Sequence, residues 1–86
     1  MSTQVDDSVR EAVLELFLGG DSSFPLEPDM DLVEAGICDS MGLVQLAAAL
    51  EERFAGLEVQ DQDVTRENMG SLSAIAAFIR RSGVAG

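Results

Sequence analysis

The chain has 86 residues, of which 47% are hydrophobic, and its formal net charge is −11, from 16 acidic residues against five arginines and no lysine. This length predicts one domain over residues 1–86, with an ordered core over about residues 6–81, and the hydrophobic content excludes a disordered acidic chain. The charge argues against nucleic acid and membrane as partners and favours proteins with basic docking surfaces.

The first predicted helix covers about residues 6–18. Apolar side chains recur there at helical spacing, acidic residues lie near its start, and the pair Gly19 and Gly20 ends it. The apolar residues that recur at this spacing are Val9, Ala12, Val13, Leu16 and Phe17.

A long loop follows over residues 21–39, because Pro25 and Pro28 break any helix there. The loop carries several large apolar residues, so we expect it to pack onto the helices as a lid, with the segment DMDLVEAG forming a single turn. A structured loop of this length in so small a domain is usually functional. Its apolar residues are Phe24, Leu26, Leu32, Val33 and Ile37.

The second predicted helix covers about residues 40–54, with Asp39 as its N-cap. On a helical wheel its apolar residues form two stripes. The stripe predicted to face the core is Leu43, Leu46, Ala47, Leu50 and Phe54. The opposite stripe is Met41, Val44 and Ala48, with Gln45 and Glu52 beside it and Glu51 near its other edge. This second stripe is either incidental apolar surface or a docking face.

Two further helices complete the predicted fold. A short one is expected within residues 61–68, with Asp63 or Thr65 near its cap, and Ser71 caps a last helix over about residues 72–81. The sequence therefore predicts an all-α fold. This is a small four-helix bundle of three main helices and one short helix, with a long structured loop between helices 1 and 2.

Several kinds of chemistry are excluded by composition. Histidine is absent, which removes Ser-His and Cys-His nucleophiles and most zinc sites. Asp61, Asp63 and Thr65 are spaced like the start of a calcium loop, but Arg66 and Leu72 stand where that loop needs Gly and Glu. We therefore predict no catalytic residue and no metal site.

The chain's N-terminus and cysteine content bear on its compartment. The opening MSTQVDD has no basic segment followed by an apolar one, so no signal peptide is expected. The single Cys38 cannot form an internal disulfide, which fits a reducing cytoplasm. Cys38 is either a small, half-buried apolar residue or a thiol that could cross-link two chains on oxidation.

Ser40 opens the second helix directly after Asp39, where free N–H groups favour an attached phosphate. The surrounding DLVEAGICDSMGLVQLAAALEERF resembles the acyl and peptidyl carrier proteins around their phosphopantetheine-attachment serine. VQDQDVTRENMGSLSAIAAFI resembles the short third helix and final helix of that family, so the likeness covers about residues 9–79. The matching residues of the attachment pattern are Gly36, Asp39, Ser40, Met41, Leu46, Leu50, Glu51, Glu52 and Phe54.

The resemblance implies that a phosphopantetheinyl transferase uses CoA and magnesium to attach 4′-phosphopantetheine to Ser40, which makes the chain a phosphoprotein. Asp39 would cap the helix and help the transferase to hold its metal. The thiol of the arm would carry cargo as a thioester from a loading ligase or acyltransferase to a downstream synthase or transferase, and the carrier itself would catalyse nothing. Partners would contact Met41, Val44, Gln45, Ala48, Glu51 and Glu52 of a monomeric carrier.

Two positions depart from the fatty-acid-synthesis members of the family. Gly42 stands where an acidic residue is frequent, and Gln45 stands where Glu is frequent. Docking near Ser40 is therefore expected to depend less on charge and more on apolar contact. This favours a free-standing carrier of specialised polyketide or nonribosomal peptide metabolism, with an aminoacyl or short acyl cargo. The alternative is an unmodified helical adaptor that binds partners through Met41, Val44 and Ala48.

Overall fold

The computed structural model describes residues 4–21, 23 and 25–82, and every regular element within them is helical. This confirms the predicted all-α fold of three main helices and one short helix, and the boundaries of the main helices agree to within about two residues. None of the helices in the described ranges is long and apolar enough to cross a membrane. The elements are α1 (Gln4–Phe17), α2 (Ser40–Arg53), a 3₁₀ turn (Asp61–Asp63), α3 (Arg66–Met69) and α4 (Leu72–Arg81).

Helix α1 packs against both α2 and α4 and ends as predicted, at two glycines with positive φ angles of 64° and 80°. The Gly20 N–H donates to the Leu14 carbonyl at 2.8 Å, which satisfies a free carbonyl of the last turn. Leu16, one of the apolar residues that recur at helical spacing, does not lie in the core and is 37% exposed. It lines an open groove in which the short side chains of Ala12 and Ala49 leave it uncovered.

Leu14 is buried in its place, at 5% exposure. It shares a face of α1 with Arg10, four residues earlier, and Arg10 contacts the loop. The Arg10 Nη2 donates to the Leu26 carbonyl at 2.6 Å. The spacing of apolar residues along α1 alone does not predict this second buried face, because its burial depends on another part of the chain.

The loop between α1 and α2 packs onto the bundle, as predicted. Leu26 and Leu32 are buried, Val33 and Ile37 are half-buried against the core, and Phe24 lies outside the described residues. Backbone hydrogen bonds fix the loop to the junction of α3 and α4. The Leu32 N–H donates to the Gly70 carbonyl at 2.7 Å, and the Ser73 N–H donates to the Pro28 carbonyl at 2.9 Å.

The predicted single turn forms at Asp31. The Ala35 N–H donates to the Asp31 carbonyl at 2.9 Å, and Asp31 Oδ1 accepts from the N–H groups of Val33 and Glu34. Asp31 Oδ2 accepts from Arg66 Nη2 at 2.6 Å. The hydrogen bond from the Glu34 N–H and the guanidinium of Arg66 both hold the pKa of Asp31 below its usual value.

The short helical region divides into two pieces. Residues 61–63 form the 3₁₀ turn, and Thr65 then interrupts the helical path with extended backbone angles, φ −133° and ψ 163°. Thr65 is the N-cap of α3, since its Oγ1 accepts from the Asn68 N–H at 3.2 Å. The cap therefore lies at one of the two predicted positions, and α3 begins only after it.

Helix α2 turns its predicted core stripe inward. Leu46 and Leu50 have no exposed surface, and Leu43, Ala47 and Phe54 are also buried. The opposite stripe is exposed, with Met41 at 73% and Val44 at 60%. One helix therefore has an apolar face in the core and another in solvent.

Replacing Leu46 by Ala is expected to lower the free energy of unfolding by about 2–5 kcal/mol, because it leaves a cavity in a fully buried site. Such a loss approaches the whole stability of a small domain. Val44→Ala, which also truncates an aliphatic side chain of α2, is the matched control and should change stability by about 0.5 kcal/mol or less. Denaturant unfolding followed by circular dichroism measures both. A larger loss for Val44→Ala would contradict the assignment of the two faces.

Candidate functional site

The start of α2 is held by a side-chain cap. Asp39 has extended backbone angles, and its Oδ1 accepts from the Gly42 N–H at 2.8 Å. Ser40 is the first residue of the helix and is exposed to solvent. The chain therefore presents a free side-chain hydroxyl at a helix N-terminus, where unpaired N–H groups and the helix dipole favour negative charge.

The approach to this cap is fixed by the preceding loop. Gly36 has a φ angle of 77°, which favours glycine, and it closes the turn begun at Asp31. The Leu32 carbonyl then accepts from the N–H groups of both Ile37 and Cys38, at 2.9 and 3.2 Å. The backbone that leads into Asp39 is thereby tied to a fully buried residue.

Gly42 packs closely against the end of the loop and the end of α1. A Cβ built at Gly42 would lie 2.9 Å from Cys38 Cβ, 3.0 Å from Phe17 Cε1 and 3.3 Å from Asp39 Oδ1. A side chain at this position would crowd its neighbours, so glycine serves packing here. It also leaves the position without the negative charge that is frequent in fatty-acid-synthesis carriers. An isolated glycine inside a helical pattern is the sequence signal for such a contact.

Cys38 is almost fully buried, at 8% exposure. Burial raises the pKa of the Cys38 thiol, and the carboxylates of Asp39 and Asp31 add to the rise. The thiolate is the reactive form of cysteine, so this thiol is a poor nucleophile at neutral pH. Its burial favours the packing role over the cross-linking one.

The candidate partner-binding residues divide into two groups. Met41, Val44 and Ala48 form the exposed apolar stripe, and Gln45 and Glu52 are exposed beside it. Glu51 differs from them, because its Oε2 accepts from the Val59 N–H at 2.8 Å. This carboxylate holds the segment that follows α2, a role that sequence reasoning missed because its partner belongs to a loop.

Two open grooves border Ser40. The first, of about 670 Å³, lies between the end of α1, the loop and the start of α2, and Phe17, Ile37 and Met41 are among its lining residues. The second, of about 460 Å³, lies between α2 and the segment that enters α3, and it is lined in part by Val44 and Arg66. The hydroxyl thus has open space on both sides.

Comparison with known proteins gives consistent matches. Residues 7–79 match the protein family described as a phosphopantetheine attachment site. The D-alanyl carrier protein of Lacticaseibacillus casei (strain BL23) is 29% identical over 79 residues, which cover 90% of this chain and 96% of that protein. The D-alanyl carrier protein of Lacticaseibacillus rhamnosus is 28% identical over 79 residues, with the same coverage.

Proteins of the matched family bear a covalently attached 4′-phosphopantetheine, and the geometry at the start of α2 fits that group. An attachment residue needs a hydroxyl that an enzyme can reach and free volume for a long flexible substituent. Ser40 is exposed and has a groove on each side. The side chain of Asp39 forms the helix cap, so the Ser40 hydroxyl is not part of it.

Gly42→Ala is expected to destabilise the fold by up to about 2 kcal/mol. Crowding against Cys38 Cβ, one bond from the backbone, costs about 1–3 kcal/mol, and alanine regains at most about 1 kcal/mol through helix propensity. Ala48→Gly on the exposed side of α2 calibrates the propensity term alone. Both are measured by denaturant unfolding, and a stabilised Gly42→Ala protein would show that Cys38 and Phe17 yield without cost.

Proposed function

The chain belongs to the phosphopantetheine-attachment family of carrier proteins, and we propose that Ser40 is the residue that bears its 4′-phosphopantetheine. The observation that carries this proposal is the exposed Ser40 hydroxyl at the first position of α2, directly after the Asp39 cap. The matching family region, residues 7–79, includes this site.

The chemistry of attachment assigns the active role to a partner. The Ser40 oxygen forms a bond to the phosphorus next to the pantetheine of CoA, the pyrophosphate P–O bond breaks, and adenosine 3′,5′-bisphosphate leaves. Ser40 must lose its proton in this step, and the chain has no histidine to accept it. A phosphopantetheinyl transferase therefore supplies the base and the magnesium ion, and Asp39 is proposed to contact that metal.

Once the arm is in place, its terminal thiol holds cargo as a thioester. The residues of this chain then serve recognition. We assign docking of the loading ligase or acyltransferase, and of the downstream synthase or transferase, to the apolar stripe of Met41, Val44 and Ala48. Gln45 and Glu52 lie at its rim, and Glu51 supports the rim through its bond to Val59.

The cargo is proposed to be an aminoacyl or short acyl group. The similarity to two proteins named as D-alanyl carriers makes D-alanine the first aminoacyl group to test. Placement in polyketide or nonribosomal peptide metabolism rests on Gly42 and Gln45, where acidic residues are absent. The proposal also takes the carrier to be a cytoplasmic monomer.

Incubation with CoA, magnesium and a broad-specificity phosphopantetheinyl transferase is expected to add one phosphopantetheine to the wild-type protein. Ser40→Ala should remain unmodified, because it removes the only oxygen that accepts the phosphate, and Ser73→Ala is the control for a serine elsewhere on the surface. Intact-mass analysis reads all three. An adduct that persists in Ser40→Ala would show that another residue is the attachment site. If several transferases add nothing to the wild-type protein, the unmodified helical adaptor becomes the favoured function.

Val44→Asp is expected to slow loading of the modified protein by its ligase or transferase at least tenfold, or about 1.4 kcal/mol. The new carboxylate lies in the middle of the apolar stripe, and docking must remove its water. Ala55→Asp adds the same charge at an exposed position beyond the end of α2, eleven residues after Val44, and should load normally. Loading rates at two ionic strengths, with circular dichroism as a check on folding, test this. Normal loading of Val44→Asp, with salt alone abolishing loading, would make recognition electrostatic.

A further inference from the structure

Arg66 shares a groove with the proposed attachment residue. It is the first residue of α3, and it lines the groove of about 460 Å³ together with Ser40 and Val44. Among the described residues that line either groove bordering Ser40, Arg66 is the only cation. A negative charge attached to Ser40 would therefore share this groove with one cation, Arg66, and one carboxylate, Asp61.

The attached arm brings such a charge. Its phosphodiester carries one negative charge, and it is placed next to the Asp39 carboxylate in a chain whose net charge is already −11. Like charges at this separation repel, and the repulsion is only partly screened at physiological salt. A guanidinium that reaches the phosphate would offset this cost, and arginine binds phosphate oxygens with favourable geometry.

The contacts of Arg66 leave it able to take such a partner. Its Nη2 lies 2.6 Å from Asp31 Oδ2 and 4.0 Å from Glu34 Oε2, so both ion pairs run through a single nitrogen. A guanidinium has further N–H donors on its other nitrogens. The head group is also half exposed, at 52% of the side chain, so a phosphate can approach it without displacing core residues.

Asp31 in turn does not depend on Arg66 alone. Its Oδ1 accepts from the N–H groups of Val33 and Glu34, at 3.0 and 3.1 Å, which fixes the carboxylate whatever Arg66 does. Arg66 therefore need not leave Asp31 in order to donate to a phosphate through another of its nitrogens. The other arginines have partners elsewhere. Arg53 resembles Arg66 in pairing with two carboxylates, those of Glu15 and Glu11.

We propose that Arg66 binds the phosphate carried by Ser40 while it stays bonded to Asp31, and so ties the root of the arm to the loop that leads into Asp39. Arg66 is in this sense a positioning residue. The inference rests on the proposed attachment at Ser40 and adds to it a specific ligand for the phosphodiester. It also predicts that modification strengthens the contact between the loop and α3.

The test compares apo and phosphopantetheinylated forms of wild type, Arg66→Gln and the control Arg53→Gln. Arg53→Gln also breaks an ion pair to two carboxylates, but Arg53 is the last residue of α2, at the opposite end of that helix from Ser40, and its partners lie on α1. In each background the melting midpoint of the apo form is subtracted from that of the modified form, which cancels the loss of the existing ion pair. This difference should be lower in Arg66→Gln than in wild type by about 2–5 °C, and unchanged in Arg53→Gln.

The phosphorus NMR signal of the phosphodiester gives a second, local readout. It should move in Arg66→Gln and stay in place in Arg53→Gln. Asp31→Asn keeps an Oδ1 acceptor and removes the carboxylate charge that shares Arg66 with the phosphate, so its difference in melting midpoint should exceed that of wild type, and an unchanged difference would count against the role of Arg66. This variant also tests the role of Arg66 if Arg66→Gln folds poorly.

The outcomes separate the two proposals. If intact-mass analysis finds no adduct at Ser40, the proposed function and this inference both fail. If the adduct forms, but the phosphorus signal and the melting difference are the same in Arg66→Gln as in wild type, only the role of Arg66 is overturned.

Discussion

Leu32 anchors the loop to the helices through its side chain, its N–H and its carbonyl. Its side chain has no exposed surface, its N–H donates to the Gly70 carbonyl, and its carbonyl accepts from the N–H groups of Ile37 and Cys38. Burial of those backbone groups without partners would cost about 1–3 kcal/mol each, so the loop cannot shift without losing several contacts together. The position of Asp39, and with it the start of α2, follows from this one attachment.

The acidic composition and the apolar stripe are complementary properties. The described part of this 86-residue chain has few helices, and α2 has both a face in the core and the exposed stripe that is the proposed docking face. An exposed stripe with Met41 at 73% and Val44 at 60% would favour association of copies with each other. A net charge of −11 opposes that association over long range, while it attracts basic partners.

The parts of the fold that could be predicted are those fixed by local chemistry. Asp39 and Ser71 each cap a helix through a hydrogen bond to an N–H three residues later, so a short sequence window contains both partners. The pairing of Arg66 with Asp31 joins residues 35 positions apart, and the bond from Val59 to Glu51 depends on how the chain turns after α2. Leu14 is buried and Leu16 is exposed, although the apolar pattern includes Leu16 and omits Leu14. The reason is the same, since packing between elements decides what covers each side chain.

A carrier must also avoid reacting with what it carries. A thiol held close to a thioester would take the cargo by exchange, and a well-placed neighbouring group gains greatly from proximity. Cys38 is next to Asp39 in the chain, yet it is 8% exposed, and burial raises the pKa of its thiol further from neutrality. The absence of histidine removes the usual base that would activate a hydroxyl. The same packing that leaves Ser40 exposed therefore keeps the thiol of Cys38 protonated and buried, so that the thiol of the arm is the reactive one at this end of the bundle.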